Sequence, residues 1–361
     1  MPKPNILHIA PANTSNVPWQ LVSAERAMGF DSRLVTLFPD PRGYEQDICL
    51  HLPFIDFAPT RVLKRWVSDP QKMKIVNTMP RPDSIPIVWQ PHTRLEKILV
   101  SLRDGLWRSK IERAIRRYHL DQYDVYHLDG GLGLYRNALF IKMMKARGAQ
   151  IICCYTGSDL RTRGVIADID RLADVNVTVE YDHTRLHPDI HFVFFPFDTT
   201  PFNVHHHHNN ERPVRIGHAP TNRAAKGSDI IIPVLQTLSE TDSVEMILIE
   251  GLTYKQALQK KNQCDIFVDQ LGELGYGINS LEALAMGIPV CTCLVPGFSQ
   301  DYPDHPFIEV NAENLQHELK QLIHNPRRRI NQGLKGKGWL QKFHNAVDVV
   351  GKIHHLAGIN L

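Results

Sequence analysis

The chain has 361 residues, of which 43% are hydrophobic and 22% charged, with a net charge of +3. That length exceeds one ordinary core and fits two domains, and the composition is that of a folded soluble chain rather than a disordered one. No run of eighteen apolar residues occurs and the start, MPKPNILHIAPANTSN, lacks a signal peptide's long apolar region, so neither a membrane span nor a secretory signal is expected. Six cysteines occur without a C-x-x-C spacing. Cys153, Cys154, Cys291 and Cys293 fall in apolar strands and read as buried free thiols of a reducing, cytoplasmic setting.

NILHIAPA (5–12) reads as a buried strand that ends in a small-residue, Asn/Thr/Ser loop, with Asn13 and Asn16 at its tip. A helix through VSAERAMG and a second strand, DSRLVTLF (31–38), follow. The opening has no G-x-G-x-x-G and no acid closing strand two, which disfavours a dinucleotide cofactor. Residues 39–93 are rich in proline, arginine and aromatics and read as irregular loops with short strands. Residues 94–119 are helical by spacing, with Leu95, Ile98, Leu99, Leu102, Leu106, Ile111 and Ile115 on one side; that stripe reads as core-facing, the other reading being a helix lying on a membrane surface.

DVYHLDGG (124–131) is a strand ending in polar residues and glycines, before a helix through LGLYRNALFIKMMKARG. QIICCYTGSDLR (150–161) is the next strand and turn, and VNVTVE (175–180) and IHFVFFPFD (190–198) are two more strands. HHHHNNER (205–212) is a polar, exposed linker; adjacent histidines point in different directions and make a poor chelate. VRIGHAPTNRAAKGSDIIIPVLQTL (214–238) opens the second domain with a strand, a loop carrying Arg223 and Lys226, and a helix. Two cations beside a helix start suit a diphosphate, the plain alternative being a surface loop with routine charges. VEMILIEG (244–251) is a strand that ends at Glu250-Gly251. CDIFVDQ, a glycine-bearing turn, the helix NSLEALAMG and the strand IPVCTCL then run from 264 to 294, with Glu282 in the helix's first turns. Glycines let a ligand approach the backbone and a helix N-terminus attracts phosphate, although an ordinary β-α-β unit would look alike. PFIEVN (306–311) is the last clear strand, and the remainder is helical.

Charge is unevenly spread. Residues 61–117 hold fourteen Lys/Arg against five Asp/Glu, and residues 327–342 hold six Lys/Arg and no acid. The concentration can attract an anionic partner such as phospholipid headgroups or nucleic acid, or can be a solvated surface.

ELGYGINSLEALAMGIPV, Glu273 to Val290, resembles the donor-site signature of the retaining group-1 (family 4-like) GT-B glycosyltransferases. That signature has two acids with Gly-aromatic-Gly between them and Gly-x-Pro-Val after. Eight residues separate Glu273 from Glu282 where the family has seven, and strict register puts Leu274 at the first acid's position. Gly-Ser-Asp-Leu-Arg (157–161) is a second match, while Asp129 and Thr156 stand where family members carry histidines.

The resemblance implies an α/β fold of two doubly wound Rossmann-like domains facing across a cleft. Their expected extents are 1–200 and 213–343, with 201–212 as linker and the terminal helix (344–361) packing back on the first. It further implies a glycosyltransferase using a nucleotide-diphosphate sugar as co-substrate, with no metal or other cofactor. Arg223 and Lys226 would meet the diphosphate, Gly251 the base, and Glu282 the ribose. Glu273 and the Gly275-Tyr276-Gly277 backbone would position the sugar, with Asn13, His127, Asp129, Asp159 and Arg161 on the acceptor side. Asp129 would hold the acceptor hydroxyl or take its proton, or else cap the following helix. Retention is the family's outcome, and a carboxylate base there would also serve inversion. The acceptor is expected to be cell-envelope or capsule carbohydrate or a lipid-linked glycan, met at the inner face of a membrane. A phage-type transfer onto a hydroxylated DNA base is the alternative, with Trp66, Trp89 or Trp107 near the base. A non-catalytic nucleotide-sugar-binding module and a nucleotide-sugar epimerase are the remaining readings.

Overall fold

The computed structural model describes residues 3–53, 86–89, 94–202, 204, 213–272 and 275–360. The histidine run, Trp66, most of the basic 61–93 stretch and Glu273 lie outside them. The chain divides into two compact units, Met1–Pro196 with Ala346–Leu361, and Phe197–Asn345.

Unit 1 is built on seven parallel strands: β1 (Ile6–Ala10), β2 (Ser32–Thr36), β3 (Ile48–Cys49), β4 (Val125–Asp129), β5 (Gln150–Tyr155), β6 (Val175–Thr178) and β7 (Ile190–Phe192). Their order is β3-β2-β1-β4-β5-β6-β7. Winding outward from β1 and then restarting at β4 makes a switch point between those two strands, the place where such sheets leave a crevice. All five β1 residues are buried, as expected for a strand covered on both faces. Helices α1 (Val17–Ala27), α2 (Arg94–Tyr118) and α3 (Leu139–Ala146) connect the first strands. One sheet face carries the larger core, including Leu7, Ile9, Tyr126, Leu128 and Ile151, under Trp107 and Ile111 of α2.

On the other face the sheet meets α1 and the terminal helix. Glu25 on α1 is buried and accepts from His8 Nε2 at 2.7 Å, Ser32 Oγ at 2.6 Å and His354 Nε2 at 3.1 Å. Burial alone would push its carboxyl up; His8 and His354 more than offset this and hold it far below the ordinary carboxylate range.

Unit 2 has five parallel strands, β8 (Val214–His218), β9 (Val244–Leu248), β10 (Ile266–Val268), β11 (Val290–Thr292) and β12 (Ile308–Glu309), in the order β12-β11-β10-β8-β9. This is the other common doubly wound order, with its switch point between β8 and β10. Its longer helices are α4 (Ser228–Thr241), α5 (Tyr254–Lys261), α6 (Ile278–Ala285), α7 (Leu315–Ile323) and α8 (Pro326–Phe343). A Thr253–Gln256 capping box starts α5. The basic stretch forms α8, where Arg329 Nη1 donates to Leu322 O and Ile323 O and so satisfies the end of α7. The last helix, α9 (Ala346–Leu356), belongs to unit 1.

Three expectations from spacing are corrected. The helix over 132–148 begins only at Leu139, and the strand over 190–198 ends at Phe192. The stripe on α2 splits: Ile111 is buried, yet Ile98, Leu102 and Leu106 are 56%, 60% and 60% exposed. Positions four apart drift about 40° per step around a helix. The buried line therefore runs through Trp107, Ile111 and Ala114 instead.

Candidate functional site

The switch point of unit 2 gathers a set of charged side chains at the C-terminal ends of β8 and β10. Beyond β8, Asn222 caps a four-residue helical turn, Arg223–Lys226, its side chain accepting from Ala225 N at 3.2 Å. That turn aims Lys226 inward, where Nζ donates to Asp269 Oδ1 at 2.6 Å. Arg223 faces outward and pairs with Glu250 at 2.5 Å, one residue before the exposed Gly251. His218 ends β8, with Nδ1 2.8 Å from Val268 O and Nε2 2.8 Å from Ser228 Oγ, so it ties β8 to β10 and to α4. Burial lowers its pKa, which suits a neutral ring donating from Nδ1 and accepting at Nε2.

Asp269, one residue past β10, is fully buried and is the centre of the set. It accepts from Ser280 Oγ at 2.6 Å as well as from Lys226, and Gly277 N lies 3.4 Å from Oδ2. Burial pushes its carboxyl up, but Lys226, Ser280 and Lys261 more than offset this and leave it below its ordinary value. The open helix N-terminus read from the sequence is thus corrected in part, since the chain's own Asp269 sits at the first turn of α6. Glu282, one turn further on, is 4% exposed. Its Oε2 accepts from Lys261 Nζ, a lysine that is itself 1% exposed.

The turn into α6 needs glycine at Gly275, which has φ +73°, while Gly277 is extended. Between them the Tyr276 ring turns to the interior and stacks on Phe307 with centroids 4.5 Å apart, leaving only its backbone for a ligand.

In unit 1, Asp129 and Asp159 stand side by side, while Asn13, His127 and Arg161 are buried. Asp129 ends β4 at the switch point; burial and the neighbouring Asp159 push its carboxyl well above the ordinary range, against a smaller pull from Arg163. Asp159 accepts from Thr156 N at 3.1 Å and pairs with Arg163 at 3.2 Å, and Arg163 also donates to Gly130 O. Asp129 does not cap the following helix, because α3 starts after Ala138.

Three other residues of the expected acceptor side are buried. Arg161 is 5% exposed and its guanidinium is taken up by Glu180 at 2.9 Å and Asp182 at 2.5 Å. His127 lies under α1, its ring 4.3 Å from that of His8, and burial and His8 hold it neutral. The donor atoms of His8, Glu25 and His127 all fall within 4.8 Å of one another, but Glu25 already has three hydrogen-bond donors. Asn13 is buried, its Nδ2 donating to Asn16 Oδ1 at 3.0 Å and Glu45 O at 2.8 Å, so it shapes its own loop. Asp269, Lys261 and His218 were not singled out from the sequence; the polar end of CDIFVDQ was the one available signal.

No family model and no curated protein sequence matches the chain. Solved structures do. Sucrose-phosphate synthase from Thermosynechococcus elongatus is 12% identical with a TM-score of 0.60, covering 98% of both chains. HepE from Anabaena in complex with UDP-glucose is 11% identical with a TM-score of 0.56, over 98% of this chain and 99% of that one. The lipopolysaccharide outer core galactosyltransferase WaaB is 12% identical with a TM-score of 0.56, over 98% of both. Likeness of this extent over the whole chain establishes the two-sheet GT-B fold that the sequence pointed to.

Proposed function

We propose that the protein is a glycosyltransferase that takes a sugar from a nucleotide-diphosphate donor held by unit 2. The observation that carries this reading is the Lys226–Asp269 and Lys261–Glu282 pairing at the β8/β10 switch point, where doubly wound sheets bind ligands. The likeness to HepE, solved with UDP-glucose, supports it.

In the proposed reaction the bond between the anomeric carbon and the diphosphate oxygen breaks, and negative charge grows on the diphosphate. Lys226 and Arg223 stabilise that charge in place of a metal ion. Arg223 exchanges Glu250 for phosphate, which its exposed position permits. Glu282 takes the ribose, and the backbone of 275–277 takes the sugar. An acceptor hydroxyl forms the new bond, and Asp129 takes its proton; the environment that raises Asp129's basicity suits a general base. Retention is the proposed stereochemistry, and a cell-envelope or lipid-linked glycan the proposed acceptor class, in keeping with the likeness to WaaB. Transfer to a DNA base is the weaker reading. Trp107, one of its stacking candidates, is buried with Nε1 donating to Pro53 O at 2.9 Å.

A thermal-shift panel of UDP-, GDP-, ADP- and dTDP-sugars tests the proposal, each followed for nucleotide release. One nucleotide series should stabilise the wild type by about 2.7 kcal/mol at ~100 times its Kd. Lys226→Ala and Glu282→Ala should lose the shift. No shift from any series, or variants that respond like wild type, would overturn the donor site.

A further inference from the structure

Lys261 closes α5 and is 1% exposed, a placement a lysine tolerates only when its ammonium is fully paired. Its Nζ donates to Glu282 Oε2, to Asn279 Oδ1 at 2.7 Å and, at 3.4 Å, to Asn279 O. It also lies 4.9 Å from the centre of the Phe267 ring. Asn279 in turn donates Nδ2 to Ala219 O at 3.2 Å, just past β8. Asn279 and Glu282 are three apart on α6 and so share a face. One ammonium thus joins the end of α5, the first turn of α6 and, through Asn279, the end of β8.

The consequence falls on Glu282. Its Oε2 is tethered, while among the described residues no donor reaches Oε1. A carboxylate fixed through one oxygen keeps the other aimed and ready to accept from a hydroxyl. We propose that Lys261 is a positioning residue, which orients Glu282 so that unit 2 reads the ribose hydroxyls of a nucleoside diphosphate. The inference rests on the donor-site reading above. Lys261 itself touches no ligand; it acts through the carboxylate it holds.

A purely structural lysine would alter stability but not ligand preference, and this difference defines the test. UDP, GDP and ADP are titrated calorimetrically into the full-length protein, together with their 2′-deoxy and 3′-deoxy counterparts. A hydrogen bond to a charged group is strong, so wild type should favour the ribose form of its nucleotide about 10-fold or more. In Lys261→Met that ratio should fall toward one. Both ligands meet the same folded fraction, so lost stability cancels in the ratio. Lys226→Ala should weaken both ligands alike and keep the ratio. Asn279→Ala, which leaves the ion pair in place, should give an intermediate ratio and serves if Lys261→Met does not fold. A wild-type ratio retained in whichever of these two variants folds overturns the inference and leaves the donor site standing. Absence of any nucleoside diphosphate binding to wild type overturns both.

Discussion

In the proposed reaction Asp129 is the base, and its surroundings set the pH at which it could act. At the end of a buried strand, beside Asp159, its carboxyl is pushed well above the ordinary value of 3.8 first by burial and then by the like charge. A base works in its ionised form, so catalysis should rise with pH through a limb lying above the usual carboxylate range. Asp159→Asn removes the like charge and should move that limb to lower pH. Asp129→Asn should cost about 10²–10⁴-fold and abolish the limb. Donor hydrolysis, with water as acceptor, reports both effects before any acceptor is known; a limb that stays put in Asp159→Asn would count against the assignment. At this scale the sequence was informative wherever a residue had a motif around it. Lys226 stands before a glycine and a helix, and Glu282 inside ELGYGINSLEALAMG, so both drew notice. Lys261 sits in KKNQC and looks like any solvated charge at a helix end; only the fold sets it inward, against Glu282, Asn279 and the Phe267 ring. Arg161 is the reverse case: it belongs to a good motif, and its pairing with Glu180 and Asp182 could not be read from that motif.

Helix α6 carries Glu282, and its position depends on α8. The two pack so closely that a Cβ at Gly333 would fall 1.9 Å from Gly287 O, and one at Gly336 2.5 Å from Leu284 Cδ2. Gly333→Ala must therefore push α8 away from the end of α6, an overpacking change of about 1–3 kcal/mol. It should lower both the melting temperature and nucleotide affinity. Gly338, on the same helix, has nothing within 4 Å of where an alanine methyl would sit, and so supplies the control. There alanine should stabilise by about 0.8–1 kcal/mol, the ordinary helix preference over glycine. Equal effects at both positions, measured by urea unfolding, would mean that the α6–α8 contact does not set the site. Periodicity could find α6 and α8 but not this contact, because a glycine in a basic helix reads as a weak helix former until its neighbour is known. The same limit explains α2, where regular spacing suggested one apolar face and the fold buries a different line of residues.

At the scale of the whole molecule, unit 2 is an insertion into unit 1: the chain leaves after Pro196 and returns at Ala346. Phe197 N donates to His344 O at 2.8 Å, which brings the two ends of unit 2 together. Within unit 1, α9 is integral. Val349, Val350 and Ile353 are buried, Lys352 Nζ donates to Phe192 O at 3.0 Å, and His354 completes the donors around Glu25. Ends that close can be joined by a short linker at small entropic cost. Replacing 197–345 with a few Gly/Ser residues should therefore leave a unit 1 that melts cooperatively. Removing 346–361 from that shortened chain should abolish the transition, because it strips the apolar cover of the sheet face and takes one partner from a buried carboxylate. Losing one partner of a buried pair costs about 3–5 kcal/mol, a large share of a small domain's stability. Circular dichroism of the two shortened chains decides the matter. If the linked unit 1 shows no cooperative melt, its stability depends on unit 2 and the division into two folding units fails. If it melts equally well without α9, then the Glu25–His354 contact closes nothing, and the sheet with α1 alone suffices for the fold.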